Sequence, residues 1–266
     1  MKVIKDMDVW RNIRRQLQDS VGFVATMGAL HDGHASLLRR SVETDTITVL
    51  SIYVNPTQFN DPKDLANYPD TLDEDLALAE RYGVDYVILP RYEDIYADGF
   101  RYQVCESEFS KELCGGNRPG HFTGVLTVVM KLLNLVQPTH AYFGEKDYQQ
   151  YTLIRDMAEA FFMPVEIVPC PTVRECDGLA MSSRNKLLSV PARSLAGKFN
   201  KALSSSASDE LVRRQLGDLG FAVDYVVSKD GRRFGAVVVE CEGRSVRLID
   251  NVQLQTEMRK QESQTA

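Results

Sequence analysis

His31 and His34 stand together inside the stretch Thr26-Met27-Gly28-Ala29-Leu30-His31-Asp32-Gly33-His34. An apolar run, Val21 to Ala25, precedes this stretch, and a helix-like run, Ala35 to Val42, follows it. Two imidazoles therefore lie where a strand hands over to a helix. Unpaired backbone N–H groups and the positive end of the helix dipole favour anions at such a junction. Gly28 and Gly33 leave room for the close approach of a phosphate. The pattern predicts a nucleoside triphosphate, with both imidazoles stabilising the charge that develops as pyrophosphate leaves. A zinc pair on a helix wants an i, i+4 spacing, which is absent here. Structural histidines with satisfied hydrogen bonds are the plainer alternative.

Three further clusters have chemistry to offer. Gly144-Glu145-Lys146-Asp147 directly follows a short apolar run. A lysine there reaches phosphates as a point charge, and Asp147 orients it or holds a ribose hydroxyl. The alternative is a solvated turn. Met181-Ser182-Ser183-Arg184-Asn185 brings two hydroxyls and a guanidinium, which bind phosphate oxygens by charge-assisted hydrogen bonds. Alone, it reads equally as a polar loop. Asn55, Gln58 and Gln150 are neutral amides near strand ends and suit a small polar substrate with hydroxyls. Asp73, Glu74 and Asp75 could hold Mg²⁺, but acidic residues in a helix's first turn are favoured by the dipole alone.

These clusters must be held by regular elements. Thr46 to Val54 is a β-branched run of the kind buried on both faces, and it ends at the turn signal Asn55-Pro56. Strands are also predicted at Val84 to Pro90, Tyr102 to Cys105, Ala141 to Phe143 and Val165 to Val168. Helices are predicted at Asp8 to Leu17, Thr71 to Tyr82, Val125 to Val136 and Tyr148 to Phe161. The stretch 60–70 reads as a surface loop and 115–120 as a Gly/Pro-rich loop. Alternating strands and helices imply βαβ units and a mostly parallel sheet. Ligands then bind outside the carboxyl ends of the strands, where the clusters at 26–34, 54–59 and 144–150 all fall.

The character changes near residue 172. A polar stretch, a helical run at Val190 to Leu203, a Ser-rich patch at Ser204 to Ser206 and three strand-like runs up to Ile249 suggest a small α+β unit. The expected organisation is a first domain over 1–171 and a second over 172–266, with a frayed tail from Arg259.

The chain has 266 residues and a net charge of −6, with 44% hydrophobic and 26% charged residues. Its pI of about 5.4 argues against a general nucleic-acid binder, which carries a basic face. No stretch approaches the roughly 18 consecutive apolar residues of a membrane span. The N-terminus lacks an apolar segment of signal-peptide length. Five cysteines, none in a C-x-x-C pair, point to reduced thiols in a cytoplasmic protein.

Taken in order, Thr26 to His34, Val54-Asn55-Pro56 with Gln58-Phe59, Arg118-Pro119-Gly120-His121-Phe122 with Gly124-Val125, Phe143 to Asp147 with Gln149-Gln150, and Met181 to Asn185 resemble the motif set of the pantothenate synthetase (pantoate–β-alanine ligase) family. Arg247-Leu248-Ile249-Asp250-Asn251 also fits. The resemblance implies a Rossmann-like, doubly wound parallel sheet of the nucleotidylyltransferase-like group. It also implies a smaller α+β C-terminal lid domain and a homodimer. The implied reaction joins (R)-pantoate to β-alanine through an enzyme-bound pantoyl adenylate, releasing pyrophosphate and AMP, with Mg²⁺ accompanying ATP.

By the same resemblance, Met27, Gly28, Ala29, Leu30, His31, Asp32, Gly33 and His34 form the first ATP-binding loop, with His34 at the position of the family's catalytic general acid. Gly144, Glu145, Lys146 and Asp147 bind ATP, with Lys146 on the phosphates alongside His31. Val173, Met181, Ser182, Ser183 and Arg184 complete the nucleotide site from the lid side. Gln58 and Gln150 hold pantoate, Gln58 borders β-alanine, and Asn55, His121 and Arg118 line the same cleft. Departures from the family pattern are Ala25 in place of proline, Leu187 in place of an aromatic residue, and a short, Ser-rich stretch at 200–220. Two rivals remain at this point. One is another nucleotidyl-transferring enzyme of the same fold, such as a cytidylyltransferase. The other is a catalytically silent binding protein.

Overall fold

The computed structural model describes residues 1–254. The expected tail from Arg259 lies outside the described residues. The chain divides into two compact units.

The first unit holds a six-stranded sheet. Its strands are β1 (Lys2–Ile4), β2 (Val21–Thr26), β3 (Ile47–Ile52), β4 (Tyr86–Ile88), β5 (His140–Gly144) and β6 (Glu166–Cys170). The order is β1-β4-β3-β2-β5-β6, and every pairing is parallel. The alternation in the sequence predicts a mostly parallel sheet, and the family resemblance implies its Rossmann-like form. From β2 the chain builds outward through β3 and β4, then crosses back to lay β5 on the other side of β2. That reversal opens a crevice at the carboxyl ends of β2 and β5. The loop after β2 carries the two histidines, and the loop after β5 carries Lys146.

Helices cover the sheet: α1 (Met7–Gln16), α2 (Asp32–Thr44), α3 (Pro62–Ala66), α4 (Leu72–Arg81), α5 (Tyr92–Ile95), α6 (Leu113–Asn117), α7 (His121–Val136) and α8 (Tyr148–Ala160). Val24, Leu38, Leu50, Ala79 and Val87 are fully buried between sheet and helices. β3 is buried on both faces, as its β-branched run predicts. Trp10 of α1 is fully buried, and its indole N–H donates to the Leu135 carbonyl at 2.9 Å. This ties α1 to α7.

Several short elements differ from the sequence reading. Tyr102 to Cys105 forms no strand, because the Val104 N–H is donated to the Thr127 hydroxyl at 2.9 Å instead of to a ladder. The expected surface loop at 60–70 contains α3, started by Pro62 and by the Asp61 side chain accepting from the Lys63 N–H at 2.8 Å. The Gly/Pro-rich loop at 115–120 overlaps α6. β1 is too short to leave a periodic signal.

The described residues of the second unit are 176–179 and 187–254. It contains α9 (Val190–Ala196), α10 (Phe199–Leu203), α11 (Asp209–Asp218) and the antiparallel strands β7 (Ala222–Lys229), β8 (Arg232–Cys241) and β9 (Arg244–Gln253). Its core joins Phe199, Leu203, Val212, Leu216, Val237 and Leu248. The Ser-rich stretch is ordered by buried Arg233, which bonds Asp209 and the carbonyls of Leu203, Ser205 and Ala207. The predicted helix Val190 to Leu203 is two helices, and α11 occupies much of the stretch that reads as short and Ser-rich.

The boundary also differs from the one expected at residue 172. Residues 172–175 and 180–186 belong to the first unit. Arg174 and Ala180 pair as an antiparallel bridge, and the Met181 N–H donates to the Val173 carbonyl at 3.0 Å. These bonds return the serine–arginine segment to the sheet that carries the other motifs.

Candidate active site

A cleft in the first unit is lined by Met27, His31, Gly33 and His34 from the first loop and by Gly144, Lys146, Asp147 and Gln150 from the loop after β5. Asn55, Gln58 and His121 line it too, as do Val173, Met181, Ser182, Ser183 and Arg184. The sequence motifs therefore converge on one place. Gly28, Ala29, Leu30, Asp32 and Glu145 are not among its lining residues. Leu30 packs into the core instead.

His31 is the N-cap of α2. Its Nδ1 accepts from the Gly33 N–H at 3.1 Å. A Cβ at Gly33 would lie 2.8 Å from the imidazole, so the cap requires glycine there. With Nδ1 accepting, the neutral ring carries its proton on Nε2. The His34 ring lies 4.2 Å from that of His31, centroid to centroid, and its Nδ1 is buried without a hydrogen-bond partner. Burial, then Lys146, push the His31 pKa down to about 4. Burial, then His31 and Lys146, push His34 down to about 3. Both rings are neutral at physiological pH. Lys146 lies 3.6 Å from the Asp147 carboxylate.

The amide residues are organised one through another. Asn55 is 1% exposed. Its Nδ2 donates to the Gly124 carbonyl at 3.3 Å and to Gln58 Oε1 at 3.0 Å. Its Oδ1 accepts from the Tyr96 and Thr57 hydroxyls at 2.8 and 3.0 Å. Because a backbone carbonyl can only accept, Gly124 fixes which way the Asn55 amide points, and Asn55 in turn fixes Gln58. The oxygen of Gln58 faces inward and its Nε2 lies beside Met27 Sδ at 3.2 Å.

His121 clamps the same residue from the backbone. Its Nδ1 donates to the Gln58 carbonyl at 2.9 Å, and Arg118 donates to that carbonyl at 3.2 Å. The His121 Nε2 accepts from Arg118 at 3.1 Å. Burial, then Arg118, push the His121 pKa down to about 4, consistent with this neutral tautomer.

On the opposite side, Asn185 donates to Glu175 Oε1 at 2.8 Å and to the Ala180 carbonyl at 3.1 Å, bracing the Ser182–Arg184 turn. The sequence reading missed the apolar wall of Val125, Val128, Val129 and Leu132, which also lines the cleft. Its i, i+3, i+4, i+7 spacing marks one face of α7 and was a usable signal. Tyr53 lines the cleft as well, its hydroxyl buried without a partner; nothing in its spacing marks it.

Three histidines held neutral set a pH dependence of stability. Unfolded imidazoles take up protons near their ordinary value, whereas the folded ones refuse them until about 4, 3 and 4. Between those limits the unfolded state binds more protons, so stability rises with pH and is lost as pH falls. The melting temperature should drop by on the order of 5 °C between about pH 7.5 and about pH 5. Calorimetry across that window checks this, and a flat Tm contradicts it.

A family model described as Pantoate-beta-alanine ligase matches residues 1–253. The chain belongs to the pantoate–β-alanine ligase family. Pantothenate synthetase of Bdellovibrio bacteriovorus is 53% identical over 253 residues, spanning 95% of this chain and 99% of that protein. The crystal structure of the Francisella tularensis pantoate–β-alanine ligase, complexed with β-γ ATP and β-alanine, superposes with a TM-score of 0.89 at 38% identity. It covers 96% of this chain and 98% of that one. The Thermus thermophilus pantothenate synthetase superposes with a TM-score of 0.85 at 37% identity, covering 95% and 99%. The fold is that of this family. Among the described residues, no helix is long and apolar enough to cross a membrane.

Proposed function

We propose that the cleft catalyses the ATP-dependent condensation of pantoate with β-alanine in two steps. A pantoate carboxylate oxygen attacks the α-phosphorus of ATP, and the bond to pyrophosphate breaks. The β-alanine amine then attacks the acyl carbon. The C–N bond forms, AMP leaves, and the amine's surplus proton is lost. The observation that carries this reading is the convergence of Lys146, His31 and His34 with the amides Gln58 and Gln150 on one cleft.

The first step moves negative charge onto the departing pyrophosphate, so its catalysts are donors and cations fixed in advance. Lys146 and Arg184 supply charge, and Ser182 and Ser183 supply hydroxyls. His31 offers an Nε2–H. His34 starts as a neutral hydrogen-bonding group, and a bound triphosphate raises its proton affinity. Mg²⁺ would accompany ATP and offset the charge of its phosphates. Among the described residues, no group of three His, Cys, Asp or Glu side chains could hold a metal ion. A homodimer in the cytoplasm belongs to the same reading and rests on the family resemblance alone.

Gln58 and Gln150 bind the hydroxyls and carboxylate of pantoate, and the α7 wall meets its two methyl groups. Asn55 and His121 act on the substrate through Gln58, whose side chain and carbonyl they hold. Gln150→Ala should raise the pantoate KM by about tenfold or more, because it leaves a polar substrate group unpaired. The ATP KM should stay within about twofold. Steady-state kinetics with each substrate varied checks this, and equal weakening of both contradicts the placement.

A further inference from the structure

Asp73, Glu74 and Asp75 open α4, where the helix dipole alone accounts for acidic residues. Asp73 and Glu74 fit that account, since both are exposed. Asp75 does not, being only 3% exposed. Its Oδ2 accepts from the Ala29 N–H at 2.9 Å and its Oδ1 from the Leu30 N–H at 2.7 Å. The Thr71 hydroxyl adds a third bond, to Oδ2, at 3.1 Å. Thr71 is the N-cap of α4, yet its side chain caps no backbone N–H of that helix. The hydroxyl is spent on Asp75 instead.

The partners of this carboxylate lie in the histidine loop. Gly28 and Ala29 both have positive φ, at 83° and 51°, and Ala29 is a residue type that rarely adopts it. A Cβ at Gly28 would come within 2.9 Å of Asp75 Oδ2. The left-handed turn therefore wraps closely over the carboxylate, and the Ala29 and Leu30 N–H groups point into it. Two backbone donors of the loop before α2 are therefore taken by the protein's own anion.

We propose that Asp75 is a positioning residue for adenylation: its carboxylate locks the Gly28–Leu30 turn and thereby sets where His31 and His34 stand. The assignment rests on the reading of those histidines as phosphate-facing. It is distinct from the Mg²⁺-binding role that an acidic cluster suggests, because both carboxylate oxygens are committed to the loop.

The test is a double-mutant cycle on the full chain, reading pantoate-dependent pyrophosphate release. Asp75→Asn keeps the shape but turns an N–H₂ toward one of the two loop N–H groups. It should lower kcat by at least ~10-fold and leave the pantoate KM within about twofold. In a His34→Ala background, the same change should cost clearly less than it does in the parent, because one of the two groups it positions is already gone. Thr71→Val, which removes only the third bond, should lower kcat by a smaller factor with the pantoate KM again unchanged. A near-normal rate in His34→Ala overturns both the histidine reading and this one. Full additivity in the cycle, or a parental kcat in Asp75→Asn, overturns the role of Asp75 alone. If Asp75→Asn does not fold, a parental kcat in Thr71→Val does the same.

Discussion

His34→Ala and Lys146→Ala each lose pantoate-dependent pyrophosphate release by at least ~10²-fold while remaining folded. The size follows from where the charge goes. Pyrophosphate gains negative charge only as the bond to the α-phosphorus breaks, so a donor placed at that position stabilises the transition state more than bound ATP. His34 is half-buried and placed by the first turn of α2, and Lys146 is held 3.6 Å from Asp147. Neither group must reorganise as the reaction proceeds. Lys146→Ala should also weaken ATP binding, since a cation attracts the ground-state triphosphate too. His34→Ala should act mainly on kcat, because a neutral imidazole adds little to that ground-state attraction. Near-normal rates in both variants, with thermal melts unchanged, contradict the assignment of the phosphate site.

Gly124→Ala is expected to lower kcat/KM for pantoate by on the order of 10²-fold and to leave the ATP KM nearly unchanged. A Cβ at this position would lie 2.4 Å from the Thr57 carbonyl oxygen, 2.6 Å from its carbon and 2.8 Å from Gln58 Cα. All three atoms are backbone, so no side chain can rotate away. α7 must withdraw from the 56–58 turn, and the Gly124 carbonyl then leaves Asn55 Nδ2. With that anchor gone, the Asn55 amide no longer dictates how Gln58 points. The crowding should also cost about 1–3 kcal/mol of stability, seen as a Tm lower by several degrees. Parental pantoate kinetics in Gly124→Ala would show that Gln58 needs no such support.

The residue types at the site were legible because each motif sits at a strand end and the strand periods are strong. β3 is rich in β-branched residues and buried, β2 runs directly into the glycine-flanked histidines, and the α7 run is long and apolar. What the sequence left open were the directions and dependencies. Asn55 and Gln58 read alike as substrate-binding amides. Only the Gly124 carbonyl, 69 positions away, separates the holder from the held. His121 likewise reads as a ligand until the Gln58 carbonyl, 63 positions away, claims its Nδ1.

Asp75 was explained away by its own helix. Its partners Ala29 and Leu30 lie 46 and 45 positions upstream, beyond any local pattern. The domain boundary was misplaced for a similar reason. The polar stretch after Thr172 looks like a linker, but the Arg174–Ala180 bridge folds it back. Short elements such as β1, α3 and α6 span too few residues for a period to register.

The central claim is that pantoate itself attacks ATP in this cleft before any amine is present. Pyrophosphate release from ATP and Mg²⁺, with pantoate present and then omitted and no β-alanine added, measures that step directly. The account predicts a burst close to one pyrophosphate per active site that requires pantoate and is absent from Lys146→Ala. Release that is independent of pantoate, or no release while ATP still binds, would contradict it.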